Sequence, residues 1–378
     1  MSNFVLADAS KKQAWSEEVT RENVRASGFA PYMSSKGGII QVKNELKGSA
    51  GNVIHVPALA KLRGGVVRGS TTLVGAEQAQ ANYSMRITTD VVRTATVIPY
   101  TEAFKTEMDL YNEGKRAVTN QLAEATRDDI ITALRSVPVT GTNGEDSAVT
   151  YETASAPNFL AWRAANADRI LYGALNANYT TTHALALATI NTDSTTLLNN
   201  KLTGKIVQLA RKKARGTTNS STFAITPYKT SNGSEWFVLF VDSNGYRDLK
   251  NDPAVYSANK DARPRETDIV ENPIFSGTNV MFYDGVIIVE IPELGNGRVD
   301  TNGVTINNGT SVGYAQLCGV QAVNFGYSAM VRPVRRKEDD YEMLAGIGAM
   351  EVRGQAKASV ALTQIGMVSV FHSSVDDA

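Results

Sequence analysis

The sequence predicts an α+β protein, and three observations support this fold class. Residues 101–136 have the periodicity of one long amphipathic helix. The segments before and after this helix contain stretches rich in β-branched residues, which are typical of strands. The regular strand–helix alternation of a doubly wound sheet is missing, so helices and strands are expected to be arranged as in α+β folds.

Composition limits the possible function. Lys plus Arg and Asp plus Glu both number 38, so the formal charge is zero and no global field attracts nucleic acid or an anionic membrane. Weak repulsion between copies favours self-association. The single cysteine, Cys318, excludes a disulfide within the chain and fits a reducing compartment. The N-terminus lacks the apolar core of a signal peptide, and no stretch approaches the roughly 20 apolar residues of a membrane span, so a soluble protein without a cleaved signal is expected.

The first 51 residues predict an extended arm. One short helix is expected at residues 11–24, and glycine and serine interrupt the sequence that follows. The segment carries too few apolar residues for a core of its own. It is therefore expected to lie on the body of the chain or on a neighbouring copy.

Residues 52–98 predict a long two-stranded excursion with a glycine-rich tip. The outgoing leg begins at Val53, and the return leg, residues 85–98, alternates apolar and polar residues as one half-buried strand. A two-stranded ribbon is marginally stable in water, so it needs a supporting surface. The sequence leaves open whether that surface belongs to the same chain or to a neighbour.

The helix at residues 101–136 has an apolar stripe with steps of three, four and seven residues. At about 1.5 Å per residue it would be roughly 50 Å long. Gly114 is expected to mark a bend, and Pro138 is expected to end the helix. The stripe consists of Phe104, Met108, Tyr111, Val118, Leu122, Ala125, Ile130 and Leu134.

Beyond the long helix, the pattern predicts a mixed body. A surface loop is expected at 139–156, a helix at 157–178 with Pro157 in its first turn, and another helix at 202–215. A threonine- and asparagine-rich tract separates the last two.

The following segments predict a sheet. Residues 236–241 are apolar on both faces and are the best candidate for a central strand. A polar helix is expected at 245–256, and Asp284-Gly285 predicts the tight turn of a hairpin. Residues 313–327 fit either a helix or a packed strand, and residues 357–371 predict a strand.

The histidines and carboxylates do not predict a metal centre. His55, His183 and His372 have no cysteine or carboxylate at the spacing of metal ligands. The sequence from Asp242 to Asp248 resembles the start of a calcium loop, but its glycine is misplaced and no glutamate closes it. A turn is the favoured interpretation of that segment.

One serine motif provides an alternative function. Gly309-Thr-Ser311-Val-Gly313 matches the nucleophile elbow of serine hydrolases, with His372 as the only downstream base. The strand–helix alternation expected before such a serine is missing, so this interpretation is disfavoured. Ser257-Ala-Asn-Lys260 matches S-x-x-K without its partner motifs, and the glycine-rich phosphate-binding motifs do not occur.

Two basic clusters allow a third class of function, nucleic-acid binding. The cluster at 211–215 lies at the end of a predicted helix, where it complements the helix dipole. Weak contact with phosphates is the alternative for this cluster and for the one at 332–337.

Ordered sequence blocks resemble a known family. The early blocks are Ile39-Ile-Gln41, Leu46, Gly51-Asn-Val53, Val56-Pro57, Thr72–Glu77 and Thr88-Thr-Asp90. The later blocks are Phe240-Val-Asp242, Tyr246–Asp252, Asn272–Gly277, Tyr283–Ile287 and Asp340-Tyr341. Their joint order, over residues 15–371, is similar to that of the major capsid proteins grouped around the one of phage N4.

The resemblance implies the Hong Kong 97-type capsid fold. In this fold an N-terminal arm precedes a long hairpin, the E-loop, which reaches over a neighbouring subunit. A spine helix, a peripheral domain and an axial domain follow. The implied bounds are arm 1–51, E-loop 52–98, first peripheral part 99–201 with spine helix 101–136, axial domain 202–312, and return to the peripheral domain 313–378.

The implied function is structural and not enzymatic. The chain is expected to form hexamers and pentamers of an icosahedral head around double-stranded DNA, which it contacts weakly and without sequence specificity. Scaffolding, decoration and portal proteins are further implied partners. Assembly is expected in the bacterial cytoplasm, and the protein is expected in the virion. No catalytic, cofactor-binding or metal-binding residue is expected, and a different virion structural protein is the nearest alternative.

Overall fold

The computed structural model describes residues 28–46, 51–62, 64–103, 105, 109–141, 146–174, 182–192, 200–216, 223–230, 233–261, 280–295, 312–336 and 343–374. The strands are β1 (Met33–Ser34), β2 (Ile40–Lys43), β3 (Val53–Leu59), β4 (Asn82–Thr88), β5 (Asp90–Pro99), β6 (Ser136–Thr140), β7 (Asp146–Thr150), β8 (Ile170–Tyr172), β9 (Tyr228–Lys229), β10 (Glu235–Val241), β11 (Val280–Tyr283), β12 (Val286–Glu290), β13 (Val312–Cys318), β14 (Val323–Arg335), β15 (Leu344–Lys357), β16 (Ser359–Val360), β17 (Thr363–Gln364) and β18 (Met367–Ser373). The α-helices are α1 (Tyr100–Ala103), α2 (Leu110–Leu134), α3 (Ala156–Ala165), α4 (His183–Thr192), α5 (Gly204–Gly216), α6 (Ser243–Asn251) and α7 (Pro253–Asp261). The predicted α+β class is confirmed.

A five-stranded sheet with the order β1-β2-β14-β15-β5 carries the long helix. Strand β15 pairs antiparallel with both β14 and β5, and β2 pairs parallel with β14. Helix α2 lies across β15 and β5, where Val118 and Leu122 pack on Ala349 and Val92. Further along the helix, Ile130 and its apolar neighbours join the largest core of the molecule.

The long helix is shorter than predicted. It begins at Leu110 and not at residue 101, because Asp109 leaves the helical conformation and its side chain accepts a hydrogen bond from the Asn112 N–H at 3.1 Å. The helix then runs for 25 residues. The stripe residues Phe104 and Met108 lie outside the described part of the chain. Of the remaining stripe, Val118, Leu122, Ile130 and Leu134 are buried, and Tyr111 and Ala125 are half-buried.

Gly114 has a different role from the predicted bend. It lies inside the continuous helix α2, where a Cβ atom would be 3.2 Å from side-chain atoms of Ile98, Thr96 and Ile347. Glycine therefore permits close approach of the helix to the sheet.

The return leg of the long hairpin is two strands and not one. Strand β4 pairs with β3, whereas β5 leaves the hairpin and pairs with β15. The chain changes partner at Thr89, whose buried hydroxyl donates to the Asn52 carbonyl at 3.1 Å. At this crossing the backbones approach so closely that a Cβ atom on Gly354 would be 2.0 Å from the Thr88 carbonyl oxygen.

A second sheet has the order β11-β12-β10-β13-β18-β8, with β9 paired to β10. The predicted central strand is confirmed, because β10 is flanked by β12 and β13 and buried along most of its length. The Asp284-Gly285 hairpin is also confirmed, with φ of 46° and 69° at its turn. One face of the sheet packs on α5, and the other contributes Val238 and Phe240 to the core beneath α2.

Several assignments in the mixed body were wrong. A surface loop was predicted at 139–156, but much of this segment belongs to the strand pair β6–β7. The helix predicted at 157–178 ends at Ala165, because the Asn166 side chain donates to the Trp162 carbonyl at 2.7 Å and the chain continues as β8. Helix α4 lies in the threonine- and asparagine-rich tract, where no element was predicted. The undecided segment 313–327 is strand, and the helix predicted at 11–24 lies outside the described residues.

The close approach at Gly114 generates a stability prediction. Gly114→Leu should lower the free energy of unfolding by about 1–3 kcal/mol, because the side chain overpacks the helix–sheet contact. Ala117→Leu, at an exposed position of the same helix, should stay within about 0.5 kcal/mol of the parent. Denaturant unfolding of both variants measures the difference. Equal stabilities would contradict the proposed packing role of Gly114.

Candidate intersubunit surfaces

The base of the β3–β4 hairpin rests on its own subunit. Residues of β3 alternate between buried and exposed, with Ile54 and Val56 inward and His55 outward. The inward side chains of both strands form one apolar cluster with Ala358, which follows β15, and with Val360 of β16. The sequence left open whether the hairpin rests on its own chain or on a neighbouring copy. The base of the hairpin rests on its own chain.

The hairpin tip consists of residues 60–81, and its described part exposes several large apolar side chains. Val66 is 83% exposed and Val74 is 81% exposed, and Leu62 and Leu73 are both more than half exposed. Isolated apolar side chains on a surface are ordinary, but a projecting group of them marks a binding surface. The tip is thus available for contact with another molecule.

Hydrogen bonds within the tip hold its two legs together. The Gly64 N–H donates to the Gln78 side-chain oxygen at 2.7 Å, and the Gln78 amide nitrogen donates to the Gly65 carbonyl at 3.2 Å. Nearer the base, Gln80 donates to the Ala60 carbonyl at 2.9 Å. These bonds order the legs without support from the body of the subunit.

One side of the five-stranded sheet near β5 is also uncovered. Helix α2 packs on the side that carries Thr96 and Ile347, and the side chains of adjacent residues point the opposite way. A concavity of about 1010 Å³ borders this region. We call the uncovered side the open face, and it consists of Val91, Arg93, Ala95, Val97, Arg332, Val334, Gly348 and Met350.

The open face combines apolar and basic groups. Val91 is 52% exposed and Val97 is 46% exposed, and the side chains of Arg93 and Arg332 are exposed beside them. Sequence analysis missed this surface. The signal was the run of β-branched residues in β5, which we assigned to a hairpin and not to the edge of a sheet.

Buried charges fix the long helix on the sheet. The Arg353 guanidinium donates to the Asp129 carboxylate at 2.6 Å and also contacts Glu351 and the Thr126 hydroxyl. Burial raises the pKa of the Glu351 carboxyl, while the charge of Arg353 lowers it. Because an unpaired buried arginine would be strongly destabilising, these contacts set the position of α2 on β15.

His372 lies in a buried ionic cluster and not in a catalytic site. Its Nε2 is 3.4 Å from a carboxylate oxygen of Asp242, and the Ser374 hydroxyl donates to the other oxygen at 2.9 Å. The serine therefore bonds the carboxylate instead of the imidazole, and all three side chains are buried. Ser311, the nucleophile suggested by the sequence, lies outside the described residues, and Ser257 lies exposed on α7.

The cluster shifts both ionisable groups. Burial by itself lowers the pKa of the His372 imidazole. The adjacent Asp242 carboxylate raises it, and together with its other partners it outweighs burial, so the net shift of the His372 pKa is upward. Burial raises the pKa of Asp242, whereas His372, Ser374 and the Gly245 N–H lower it, and its net shift is downward. Asp242 also caps α6 by accepting from the Gly245 N–H at 3.0 Å. The residues resembling a calcium loop thus begin a helix.

The other histidines have structural partners. The His183 ring stacks on Phe159 with centroids 4.0 Å apart, and its Nδ1 is 2.7 Å from the Tyr172 hydroxyl. Burial lowers the pKa of His183 to about 3, so it stays neutral. His55 lies on the hairpin surface, 3.1 Å from the Ser84 hydroxyl. Within the described ranges, His, Cys, Asp and Glu residues form no group of three or more suited to a metal ion.

The first basic cluster is used within the subunit. Arg211 pairs with Asp284, Arg215 lies 3.8 Å from Glu235, and Lys213 donates to the Ala167 carbonyl at 3.1 Å. Lys213 and Arg215 occupy the last turn of α5, which agrees with the helix-dipole interpretation. In the second cluster, the Arg335 guanidinium lies 5.4 Å from the centre of the Tyr111 ring, and Lys337 is outside the described residues.

The architecture defines a class of protein. A long helix on a sheet, a projecting hairpin and a second sheet are combined with exposed apolar surfaces and no assembled catalytic group among the described residues. These features are those of the shell proteins of tailed phages. None of the described helices is long and apolar enough to cross a membrane.

The family follows directly from comparison with known proteins. The family model described as "Phage capsid protein" matches residues 3–375, so the chain belongs to the phage capsid protein family. The match does not single out the group around phage N4. No curated protein matches the chain.

Solved structures agree with this assignment. The chain is similar to the capsid asymmetric unit of cyanophage Pam1, with 32% identity, a TM-score of 0.81 and full coverage of both chains. It also shares its fold with the capsid of Ralstonia phage GP4, at 18% identity, a TM-score of 0.71 and full coverage of both. The head of Helicobacter pylori bacteriophage KHP40 gives 12% identity and a TM-score of 0.63, covering 97% of this chain and 96% of that one.

These findings confirm the predicted fold and function. The fold is the Hong Kong 97-type fold of tailed-phage capsid proteins. The chain is a structural protein of the phage virion and not an enzyme, and the serine hydrolase alternative has no support.

The buried His372–Asp242 pair predicts a specific pH dependence of stability. The raised His372 pKa stabilises the fold below the ordinary value of 6.5, and this stabilisation is lost as the pH rises through the raised value. The lowered pKa of Asp242 stabilises the fold above pH 3.8, and this stabilisation is lost as the pH falls through the lowered value. Asp248, paired with Arg247, adds to the negative field at His372. The pair therefore contributes most between about pH 4 and pH 6.5.

Thermal unfolding of His372→Gln tests this dependence. The loss of melting temperature relative to the parent should be largest in that window and should shrink at alkaline pH. His55→Gln, which removes an exposed histidine, should show a small effect without this profile. A penalty for His372→Gln that is constant from acidic to alkaline pH would contradict the ionic pairing.

Proposed function

We propose that the chain is the major subunit of an icosahedral head, forming hexamers and pentamers that enclose double-stranded DNA. The observation that carries this proposal is the hairpin tip, which exposes Leu62, Val66, Leu73 and Val74 beyond a base packed on its own subunit. Burying one such side chain contributes roughly 1.5–3 kcal/mol. A neighbouring copy that covers the tip would thus gain substantial association energy.

The proposed domains follow the Hong Kong 97-type plan. Residues 1–51 form the arm, 52–98 the E-loop, 99–201 and 313–378 the peripheral domain, and 202–312 the axial domain. The seven-stranded sheet also takes strands β8 and β18 from outside 202–312, and all of β13 except Val312. The proposed axial and peripheral segments therefore contribute strands to one sheet.

The contact that we propose is heterologous, since a projecting tip on one copy meets a different surface on the next. The open face is suited to bind the tip of a neighbouring copy, because its exposed valines can pack on the apolar side chains of the tip. The open face belongs to the five-stranded sheet, which also contains β5, the last strand of the E-loop. Heterologous contacts generate rings when the rotation closes. Hexamers and pentamers are such rings, so one subunit type can build both.

Other partners are expected to bind more weakly or only at certain stages. In the first basic cluster, Arg211, Lys213 and Arg215 already bond within the subunit, so packaged DNA would not find them as a dedicated phosphate site. This supports weak contact without sequence specificity. Scaffolding, decoration and portal proteins belong to the proposal as partners in assembly.

Shortening the hairpin tests the role of the tip. Replacing residues 61–80 with Asn-Gly keeps the bond between the Ala60 N–H and the Ala81 carbonyl, at 3.0 Å, and closes β3 and β4 with a tight turn. The variant should be expressed as a folded protein with a melting temperature close to the parent, yet form no shells in negative-stain microscopy. Normal shells from this variant would refute the role of the tip.

Point substitutions provide a matched test. Leu73→Asp with Val74→Asp places two charges in the apolar tip and should abolish or strongly reduce shells, because burying unpaired carboxylates is unfavourable. Thr71→Asp with Thr72→Asp adds the same charge to neighbouring exposed positions and should reduce assembly much less. Sedimentation separates subunits, capsomers and shells. Equal assembly of the two double variants would show that the apolar tip is not buried between copies.

A further inference from the structure

Strand β5 forms a free edge of the five-stranded sheet. It stands at the end of the order β1-β2-β14-β15-β5, so one of its sides bonds β15 and the other has no strand partner among the described residues. In an antiparallel pair, successive residues direct their N–H and C=O groups alternately toward the partner strand and away from it. The register therefore identifies which groups of β5 are left unpaired.

Two hydrogen bonds fix this alternation. The Tyr100 N–H donates to the Met343 carbonyl at 2.8 Å, which makes Tyr100 and Met343 a bonded pair just beyond β5. Counting back by twos, Thr96 bonds Ile347. On the other side of β15, the Arg336 N–H donates to the Gly346 carbonyl at 3.2 Å, so the residues next to Ile347 bond β14. Both bonds give the same assignment.

The backbone groups that face away from β15 belong to alternate residues of β5, which we call the outward residues. Pro99 continues their series and has no N–H, as expected where that group would face away from the sheet. The side chains of the outward residues lie on the open face, so backbone and apolar groups are uncovered together. The outward residues are Val91, Arg93, Ala95 and Val97, and among them the Val91 N–H donates to the Asp90 carboxylate at 2.7 Å.

This edge has little protection against strand addition. Its register with β15 runs without a shift from Asp90 to Pro99, so no bulge twists it away. Asp90 stands at its first position and its proline at its last, so Arg93 is the only charge in its interior. Soluble proteins normally protect long edges rich in β-branched residues, since another chain readily pairs with them. A weakly protected edge of this kind is expected to be covered in the functional state.

We propose that an extended segment of a second copy adds as a strand to the free edge of β5, extending the five-stranded sheet across a subunit boundary. The inference rests on the proposed assembly into shells. A second copy is the partner that the observations favour, because the chain has no net charge to repel its copies. The edge is also continuous with the proposed E-loop interface, since β4 leads into β5 through Thr89. The added backbone hydrogen bonds provide affinity, and the open face receives alternate side chains of the incoming strand.

Ala95 allows a test that removes one outward N–H. Ala95→Pro deletes a group that β15 does not use, and the residue before proline stays in the extended conformation that Thr94 already has. The control, Ala95→Thr, places a side chain of similar size at the same position and keeps the N–H. Sedimentation and negative-stain microscopy follow assembly, and circular dichroism follows folding.

The expected result is normal shells from Ala95→Thr and a roughly tenfold or greater loss in the yield of shells from folded Ala95→Pro, because one backbone hydrogen bond is lost at every such contact in a shell. Equal yields from the two variants would overturn strand addition while leaving the proposed function intact. If neither the parent nor Ala95→Thr assembles, the proposed function fails and this inference fails with it.

Hydrogen exchange on parent shells tests the proposal without any substitution. If a second copy covers the edge, the outward amides of Arg93, Ala95 and Val97 should exchange as slowly as the amides of Thr94 and Thr96, which bond β15. If the edge is free, the outward amides should exchange roughly tenfold faster or more. That second pattern, measured at residue resolution, would overturn the proposal even if Ala95→Pro failed to fold.

Discussion

The structure depends on the contact between helix α2 and the five-stranded sheet. Val118 and Leu122 pack on the sheet, Gly114 lets the helix approach it, and the ion pair of Arg353 with Asp129 fixes the helix along β15. Farther along, Ile130 and Leu134 enter the core shared with the second sheet. A single helix therefore connects the part of the subunit that carries the hairpin to the part that carries the central strand β10.

The same sheet also connects folding to assembly. Because the chain changes partner at Thr89, β5 contributes to the packing of the helix on one face and leaves the other face and one edge uncovered. The hairpin base is held by the same subunit, and its apolar tip extends away from it. Such a subunit has a complete core of its own and leaves apolar side chains of the hairpin tip exposed for contact with other copies. This agrees with its membership of the phage capsid protein family.

Sequence reasoning found the elements with a strong local signal. The central strand around Phe240 and the turn at Asp284-Gly285 are set by local composition, and both are present. It misplaced elements that are decided by distant contacts. Residues 85–98 form two strands because Thr89 bonds Asn52, and Asn166 ends α3 ahead of a strand that pairs with β18.

The hairpin tip could be predicted from its glycines and from its lack of a core. The open face could not, since it exists only where β5, β14 and β15 come together. His372 was considered as a base, yet its pairing with Asp242 depends on β18 and the end of β10 lying on either side of β13 in one sheet.

Electron cryomicroscopy of particles formed by the expressed chain tests the central claim most directly, since one map shows both the symmetry of the assembly and the partner of each exposed surface. The account predicts closed icosahedral shells in which the hairpin tip, residues 60–81, contacts a neighbouring subunit while its base stays on its own. Stable monomers in place of shells, or shells in which every tip folds back on its own subunit, would contradict it.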